Sequence, residues 1–415
     1  MEEMTLVAPQ ECEQTGIRRG LLETLALKIL YLNGEMTLPE LGQHMCVSLG
    51  VIDQIFQFFR KQQLCEVKGM TGGTHRIVAS TEGKVRAVDL LSLSQYAGPA
   101  PVSLSDYHAR VREQGVQQAQ ISPDDLRRAF GPLVLDDDLI SRIGTAVVSN
   151  TSIFLYGPPG AGKTSLACYI PEIYNDSVWV PYAVEVDNQI IAVYDAGVHR
   201  KSNDVLPEEF DTRWVLCHRP RVIAGGELSA EMLDLQYSSA SRYYTAPLQM
   251  KANNGVLILD DFGRQRMRPD ELLNRWMTPL DRRLDFLSLP GGRKFEIPFD
   301  LFVVFSTNLD PRELADEAFL RRIPNKIKVN HATPGNFCQI LRNECLARGI
   351  AWDEDVLERA VLFITDEMKR PLSQSLPRDL LNQISWAAVY QGEVPRLTAE
   401  GIEQACRNYF LPVEN

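Results

Sequence analysis

The chain has 415 residues, 45% hydrophobic and 23% charged, which is enough for two or three domains and at least one large core. Its net charge of −11 excludes a protein coated in basic surface for bulk nucleic-acid binding, though not one small basic module. No apolar run approaches the roughly 18 residues of a membrane span, and the acidic start MEEMTLVAPQEC lacks a basic-then-apolar signal profile, so the expectation is a cytoplasmic protein with no membrane insertion.

Residues 1–16 read as a frayed tail. From Gly20 the stretch GLLETLALKILYLNG has helical apolar spacing and stops at Gly34. Thr37 is placed to cap a second helix, with Pro39 in its first turn and Glu40 at the capping-box position. A third helix follows CVSLG and carries Val51, Ile52, Ile55, Phe56 and Phe59 on one face. CEVKGMTGGTHRIVAS reads as two strands around a Gly-rich turn, and TEGKVRAVDLL as a further helix. Three helices and a hairpin are the order of a winged helix-turn-helix domain, here spanning 17–94.

A DNA-reading helix wants Arg, Lys, Asn or Gln at base edges. The outward face of the third helix offers Asp53, Gln54, Gln57, Arg60 and Lys61; the glutamines suit that task and Asp53 does not. The wing adds only His75 and Arg76, so DNA binding lacks an electrostatic footprint. Docking to a protein or to the rest of an assembly is the competing reading.

Residues 95–121, with Pro99 and Pro101, read as an ordered connector. From Ser122 strands alternate with helices, the pattern of a parallel α/β domain. The eight scattered cysteines, with no CxxC and no zinc-like histidine spacing, read as reduced thiols. After about Ala332 four helical stretches follow, enough for a small bundle.

SIFLYGPPGAGKTSLACYI sets an apolar strand before GPPGAGKT and a helix after it. The run Gly157, Pro158, Pro159, Gly160, Ala161, Gly162, Lys163, Thr164, Ser165 fits a phosphate loop, whose glycines let backbone N–H groups curl around phosphates at a helix N-terminus. Lys163 is expected to reach the β- and γ-phosphates of ATP and Thr164 to ligate Mg²⁺. The second ingredient is an apolar strand ending in an acid, and GVLILDDFGRQ supplies it: Asp260 for the Mg²⁺ shell and Asp261 as the base that polarises the attacking water. Aspartate is a methylene shorter than glutamate, and a misplacement of about 1 Å can cost ~100-fold in rate. Hydrolysis is therefore expected, at a rate that the shorter reach of Asp261 can lower.

GPPGAGKT, LILDDF, LFVVFSTN, EAFLRRI and SLPRDLL occur in the order of an AAA+ ATPase, and from Ser122 to the end the chain resembles that family. LSLPGGRKFEIPFD, DEAFLRRIPNKIKV and SLPRD look closest to the MoxR-like chaperone ATPases. The whole chain resembles bacterial chaperone-like ATPases, some of them linked to Flp pilus assembly. The resemblance implies an α/β P-loop NTPase domain over 122–330 and a C-terminal α-helical lid over 331–415. It also implies roles for four residues: Asp261 at the base position, Asn308 as the sensor that orients water, Arg322 as the finger reaching a neighbour's site with Arg321 as the alternative, and Arg378 as the sensor of the lid.

Two departures stand out. Asp261 occupies a position where the family usually has Glu, and the stretch from Asp176 to Met250 is longer than the family's usual connection. Strands about an Asp187-Asn188 turn are expected there, and Tyr237, Tyr243 and Tyr244 are either grips on a client in a central pore or ordinary packing. The resulting expectation is an ATP- and Mg²⁺-dependent ring ATPase, hexameric by resemblance, remodelling a protein client. Its rivals are a DNA-associated regulator and a slow nucleotide-dependent assembly switch.

Overall fold

A computed structural model describes residues 6–207, 209–289, 292–314 and 316–410. Helix α1 (Arg19–Asn33) ends at Gly34, whose φ of 79° suits a residue without a Cβ. Strand β1 (Met36–Thr37) runs into α2 (Leu38–Met45), where Thr37 and Glu40 form the expected capping box. Ser48 caps α3 (Leu49–Lys61), and Val51, Ile52, Ile55, Phe56 and Phe59 are all buried. Strands β2 (Cys65–Thr71) and β3 (Thr74–Ala79) pair antiparallel through Gly72 and Gly73, both at positive φ as a two-residue hairpin turn demands. Helix α4 (Thr81–Leu93) closes this unit, with sheet order β1-β3-β2.

The first residues are not frayed. Cys12 and Thr15 are 1% and 0% exposed, and the Ser48 hydroxyl donates to Pro9 O at 2.5 Å. The segment gains its order from the face of α3 and from the sheet described next, neither of which a local pattern reveals. Residues 1–5 of the expected tail lie outside the described residues.

The expected connector is also more than a spacer. It forms β4 (Val102–Ser103) and α5 (Leu104–Glu113), with Val102 and Tyr107 buried. β4 joins the strands of the long insertion: β6 (Ser177–Pro181), β7 (Ala183–Val186), β8 (Gln189–Ala192), β9 (Trp214–His218), β11 (Gln236–Tyr237) and β12 (Tyr244–Thr245). One sheet runs β11-β12-β8-β7-β4, and β6 pairs with β9 separately. Asp187 and Asn188 turn β7 into β8 with φ of 54° and 64°, as their sequence predicted. Ala183 and Ile190 of this sheet pack into the core of the N-terminal unit, so the two share one hydrophobic cluster.

The third layer is a five-stranded parallel sheet in the order β10-β13-β16-β5-β17. Its strands are β5 (Ile153–Tyr156), β10 (Arg221–Ala224), β13 (Val256–Leu259), β16 (Phe302–Thr307) and β17 (Asn325–Lys328). β13 and β16 are buried at every residue, which is why VLIL and FVVF read as apolar runs rather than alternating ones. Each large side chain buried there contributes about 1.5–3 kcal/mol. Around the sheet lie α6 (Pro123–Phe130), α7 (Asp137–Val148), α8 (Lys163–Tyr169), α9 (Leu248–Lys251), α10 (Pro269–Arg282), α11 (Pro311–Leu314) and α12 (Glu317–Leu320). The hairpin expected before β16 is present as β14 (Leu284–Ser288) and β15 (Lys294–Pro298). Of its Pro-Gly-Gly turn, residues 290–291 lie outside the described residues, and Gly292 has φ 82°.

A helical bundle completes the chain: α13 (Pro334–Arg348), α14 (Glu354–Leu362), α15 (Leu376–Gln391) and α16 (Ala399–Tyr409), packed around Phe337, Leu341, Leu357, Leu380 and Ile402. Among the described residues no helix is long and apolar enough to cross a membrane.

Candidate nucleotide site

The loop from Gly157 to Gly162 leaves β5 at its carboxyl end and enters α8, the position where ligands sit in parallel α/β sheets. Gly157, Gly160 and Gly162 have φ of 146°, 75° and 79°. A Cβ on Gly157 would stand 2.1 Å from Val329 O, so only glycine lets the loop pass so close to the end of β17. Lys163 opens α8 at 6% exposure. Its ammonium donates to Gly157 O at 3.0 Å, Pro158 O at 2.8 Å and Asn308 Oδ1 at 2.7 Å. Burial pushes that ammonium below the ordinary lysine range, while the charges of Asp260 and Asp261 push it back up.

Thr164 and Asp260 come together as their motifs imply: the Thr164 hydroxyl donates to Asp260 Oδ1 at 3.0 Å. The hydroxyl at the start of α8 and the carboxylate at the end of β13 thus set two oxygens side by side, the ligand type that hard cations take. Asp261 stands next in the chain at φ 48°, a left-handed conformation that aspartate tolerates better than most residues. The turn behind it is tied to β16, with Phe262 N donating to Ser306 O at 2.7 Å and the Thr307 hydroxyl to Phe262 O at 2.7 Å. Asn308 leaves the end of β16 and donates from Nδ2 to Asp261 Oδ1 at 3.2 Å. Strands β13, β16 and β5 are neighbours, and this adjacency brings Asp261, Asn308 and Lys163 into one row.

The two arginines assigned by resemblance stand outside this row. Arg322 donates to Asp281 Oδ2 at 2.7 Å and to Ala318 O at 2.8 Å, with 26% of its side chain exposed. Neither partner belongs to the phosphate loop. Arg321 is 78% exposed and forms an ion pair with Glu317 at 3.7 Å. Arg378 is 62% exposed near the start of α15, where its Nε donates to Asp379 at 3.3 Å. It borders a cavity of about 440 Å³ between loop and bundle, lined on one side by Ala161, Gly162, Ser165 and Leu166 and walled by Leu133 and Val134. That volume suits a ligand of nucleotide size.

Sequence reading missed the bundle's own contact with the loop. The Ser373 hydroxyl and Gln374 N both donate to Gly160 O at 2.9 Å. It also missed His331, whose buried Nδ1 has no hydrogen-bond partner among the described residues. Burial and the nearby Lys163 charge hold that imidazole below the usual histidine range. The only signal for the first was the polar run LSQS just before the start of α15.

The three tyrosines of the insertion separate. Tyr244 is 6% exposed and lies in the core of the insertion, and Tyr243 packs edge-on against Tyr96 of the N-terminal unit with ring centroids 5.3 Å apart. Tyr244 is thus covered within the inserted sheet, and Tyr243 is half-buried against the N-terminal unit. Tyr237 remains 52% exposed. In α3, Gln54 is occupied rather than free, accepting from Cys12 N at 3.0 Å.

The family model described as a domain of unknown function (DUF8689) matches residues 333–408, the helical bundle. No curated protein matches the chain. Among solved structures, the Thermotoga maritima RuvB Holliday junction branch migration motor is similar at 13% identity and TM-score 0.35, covering 69% of this chain and 70% of that one. The FIGL-1 AAA domain in complex with ADP is similar at 16% identity and TM-score 0.34, covering 64% of this chain and 74% of that one.

Proposed function

We propose that this chain is an ATP-hydrolysing AAA+ ring ATPase, MoxR-like in its hairpin before β16, that remodels or assembles a protein client. The observation that carries the reading is the row formed by Lys163, Asn308 and Asp261, with the Thr164–Asp260 pair beside it, at the carboxyl ends of three adjacent parallel strands. The backbone from Gly157 to Gly162 and Lys163 would hold the phosphates of ATP, and Thr164 and Asp260 would hold Mg²⁺. Bound there, the metal would supply neutralisation of the charge on the transferring phosphoryl group. Asp261 accepts a proton from the attacking water, and Asn308 fixes the direction of that carboxylate. The cavity between loop and bundle takes the base and ribose, with Arg378 at its edge.

Arg322 acts in a neighbouring subunit's site, and the exposed Arg321 is the alternative. A hexameric ring follows from the resemblance. The N-terminal unit is a winged helix used for docking: DNA-reading helices in this motif use their first residues, and here residues 9–12 cover that end of α3. A client contact in the pore falls to Tyr237. Turnover is measured per subunit across protein concentrations for wild type, Arg322→Ala and Arg321→Ala. Turnover that rises with concentration and is lost in one arginine variant supports a shared site. Nucleotide binding without turnover at any concentration sinks the motor reading and leaves the assembly switch.

A further inference from the structure

Two hydrogen bonds from the bundle to the phosphate loop converge on a single peptide group. Gly160 O accepts two hydrogen bonds, from the Ser373 hydroxyl and from Gln374 N, both at 2.9 Å. A carbonyl has two lone pairs, so this acceptor is saturated. The same peptide plane carries Ala161 N–H, and in a trans peptide N–H and C=O point in opposite directions. Holding the carbonyl toward the bundle therefore aims Ala161 N–H into the loop. There its only partner among the described residues is Pro158 O at a long 3.4 Å, which leaves the donor available.

Gln374 reinforces the geometry, since a Cβ on Gly162 would stand 2.3 Å from its Oε1. Ser373 is itself held, with its hydroxyl 3.0 Å from that of Ser375, and Leu372 O accepts from Ala332 N at 2.9 Å where the chain enters the bundle. We infer that Ser373 is a positioning residue of the nucleotide site: by bonding Gly160 O it sets Ala161 N–H to donate to a nucleotide's phosphate. The inference rests on the nucleotide reading above. It makes the bundle part of the phosphate cradle, so that moving the bundle away frees the Gly160–Ala161 peptide to turn and weakens the grip on phosphate.

The test uses the full-length protein with a fluorescent ADP analogue at equilibrium, beside hydrogen exchange of the ligand-free chain. Ser373→Ala is expected to weaken ADP binding about three- to tenfold, the range of one hydrogen bond. It should speed exchange in 157–162 and 371–376 while leaving the cores of α13 to α16 unchanged. Ser373→Thr keeps the hydroxyl and is expected to restore both readouts. Wild-type affinity and exchange in Ser373→Ala, or loss in Ser373→Ala that Ser373→Thr does not restore, overturns the positioning role. A wild-type protein that binds no ADP removes the nucleotide reading itself, a separate outcome that takes this inference with it.

Discussion

Lys163 and Asn308 are joined by a 2.7 Å hydrogen bond across the ends of β5 and β16, from ammonium to amide oxygen. The same amide turns its nitrogen to Asp261 at 3.2 Å, so one side chain links the phosphate-loop cation to the candidate base. An amide suits this place because it accepts from one neighbour and donates to the other; neither a carboxylate nor an amine can do both.

Replacing Asn308 with Ala removes both bonds and leaves Asp261 free to rotate. Single-turnover hydrolysis is expected to fall about 100-fold, the scale of a misplaced catalytic group, with ADP affinity changed less than threefold. A matching loss of affinity would mean that Asn308 holds the loop rather than the base.

Tyr237 and Tyr244 sit opposite each other on β11 and β12, ring centroids 5.0 Å apart, yet they should respond differently. Tyr244→Ala empties a buried position and is expected to lower stability by about 3–5 kcal/mol, as large aromatic truncations do. Tyr237→Ala should stay within about 0.5 kcal/mol of wild type. Equal losses in denaturant titration would mean that Tyr237 is packed as well.

Arg213 is 3% exposed and grips Asp211 through Nε and Nη2 at 2.7–3.1 Å, while Nη1 donates to Thr15 O at 2.8 Å and Pro101 O at 3.2 Å. One guanidinium thus pins the first residues and the start of β4 to the insertion. Arg213→Met leaves the buried Asp211 carboxylate without its counter-charge, paired among the described residues only through the backbone N–H of residue 213, and is expected to cost about 3–5 kcal/mol. Limited proteolysis should then cut between residues 6 and 18 or near Pro101. An unchanged digestion pattern would assign the order of that segment to α3 alone.

Lys28 is 2% exposed within α1, and burial pushes its ammonium down to about 8 from an ordinary value of 10.5. The folded chain then holds fewer protons than the unfolded chain between about pH 8 and 10.5, so stability rises with pH through that window. Below about pH 8 the burial cost is present in full. Lys28→Met removes the charge but also the bond to Ser94 O at 3.2 Å, for a net gain of roughly 2 kcal/mol at pH 7. The gap between variant and wild type should narrow toward pH 10.5 in thermal melts of the N-terminal unit. A gap that stays constant with pH would mean that Lys28 is charged in the fold without penalty.

Local chemistry wrote much of this molecule legibly. The Thr37–Glu40 capping box, the Asp187-Asn188 turn, the apolar runs of β13 and β16, and the glycines of the phosphate loop each depend on residues within a few positions of one another. Side-chain spacing, φ preference and burial on both faces of a parallel strand therefore declared them in advance. The loop and the acid-ended strand also announced their pairing, because GPPGAGKT and LILDD have a partner chemistry that neither serves alone.

What only the tertiary structure decided are the contacts between segments far apart in the chain. Arg213 reaching Thr15 and Pro101 turned an expected tail and connector into packed structure. Tyr243 meeting Tyr96 set one candidate client grip against the edge of a shared core. Ser373 reaching Gly160 across 213 positions brought the helical bundle to the phosphate loop. None of these partners leaves a periodic trace, because each is chosen by how the layers stack, and a polar or aromatic residue reads the same in sequence whether it ends at the surface or in an interface.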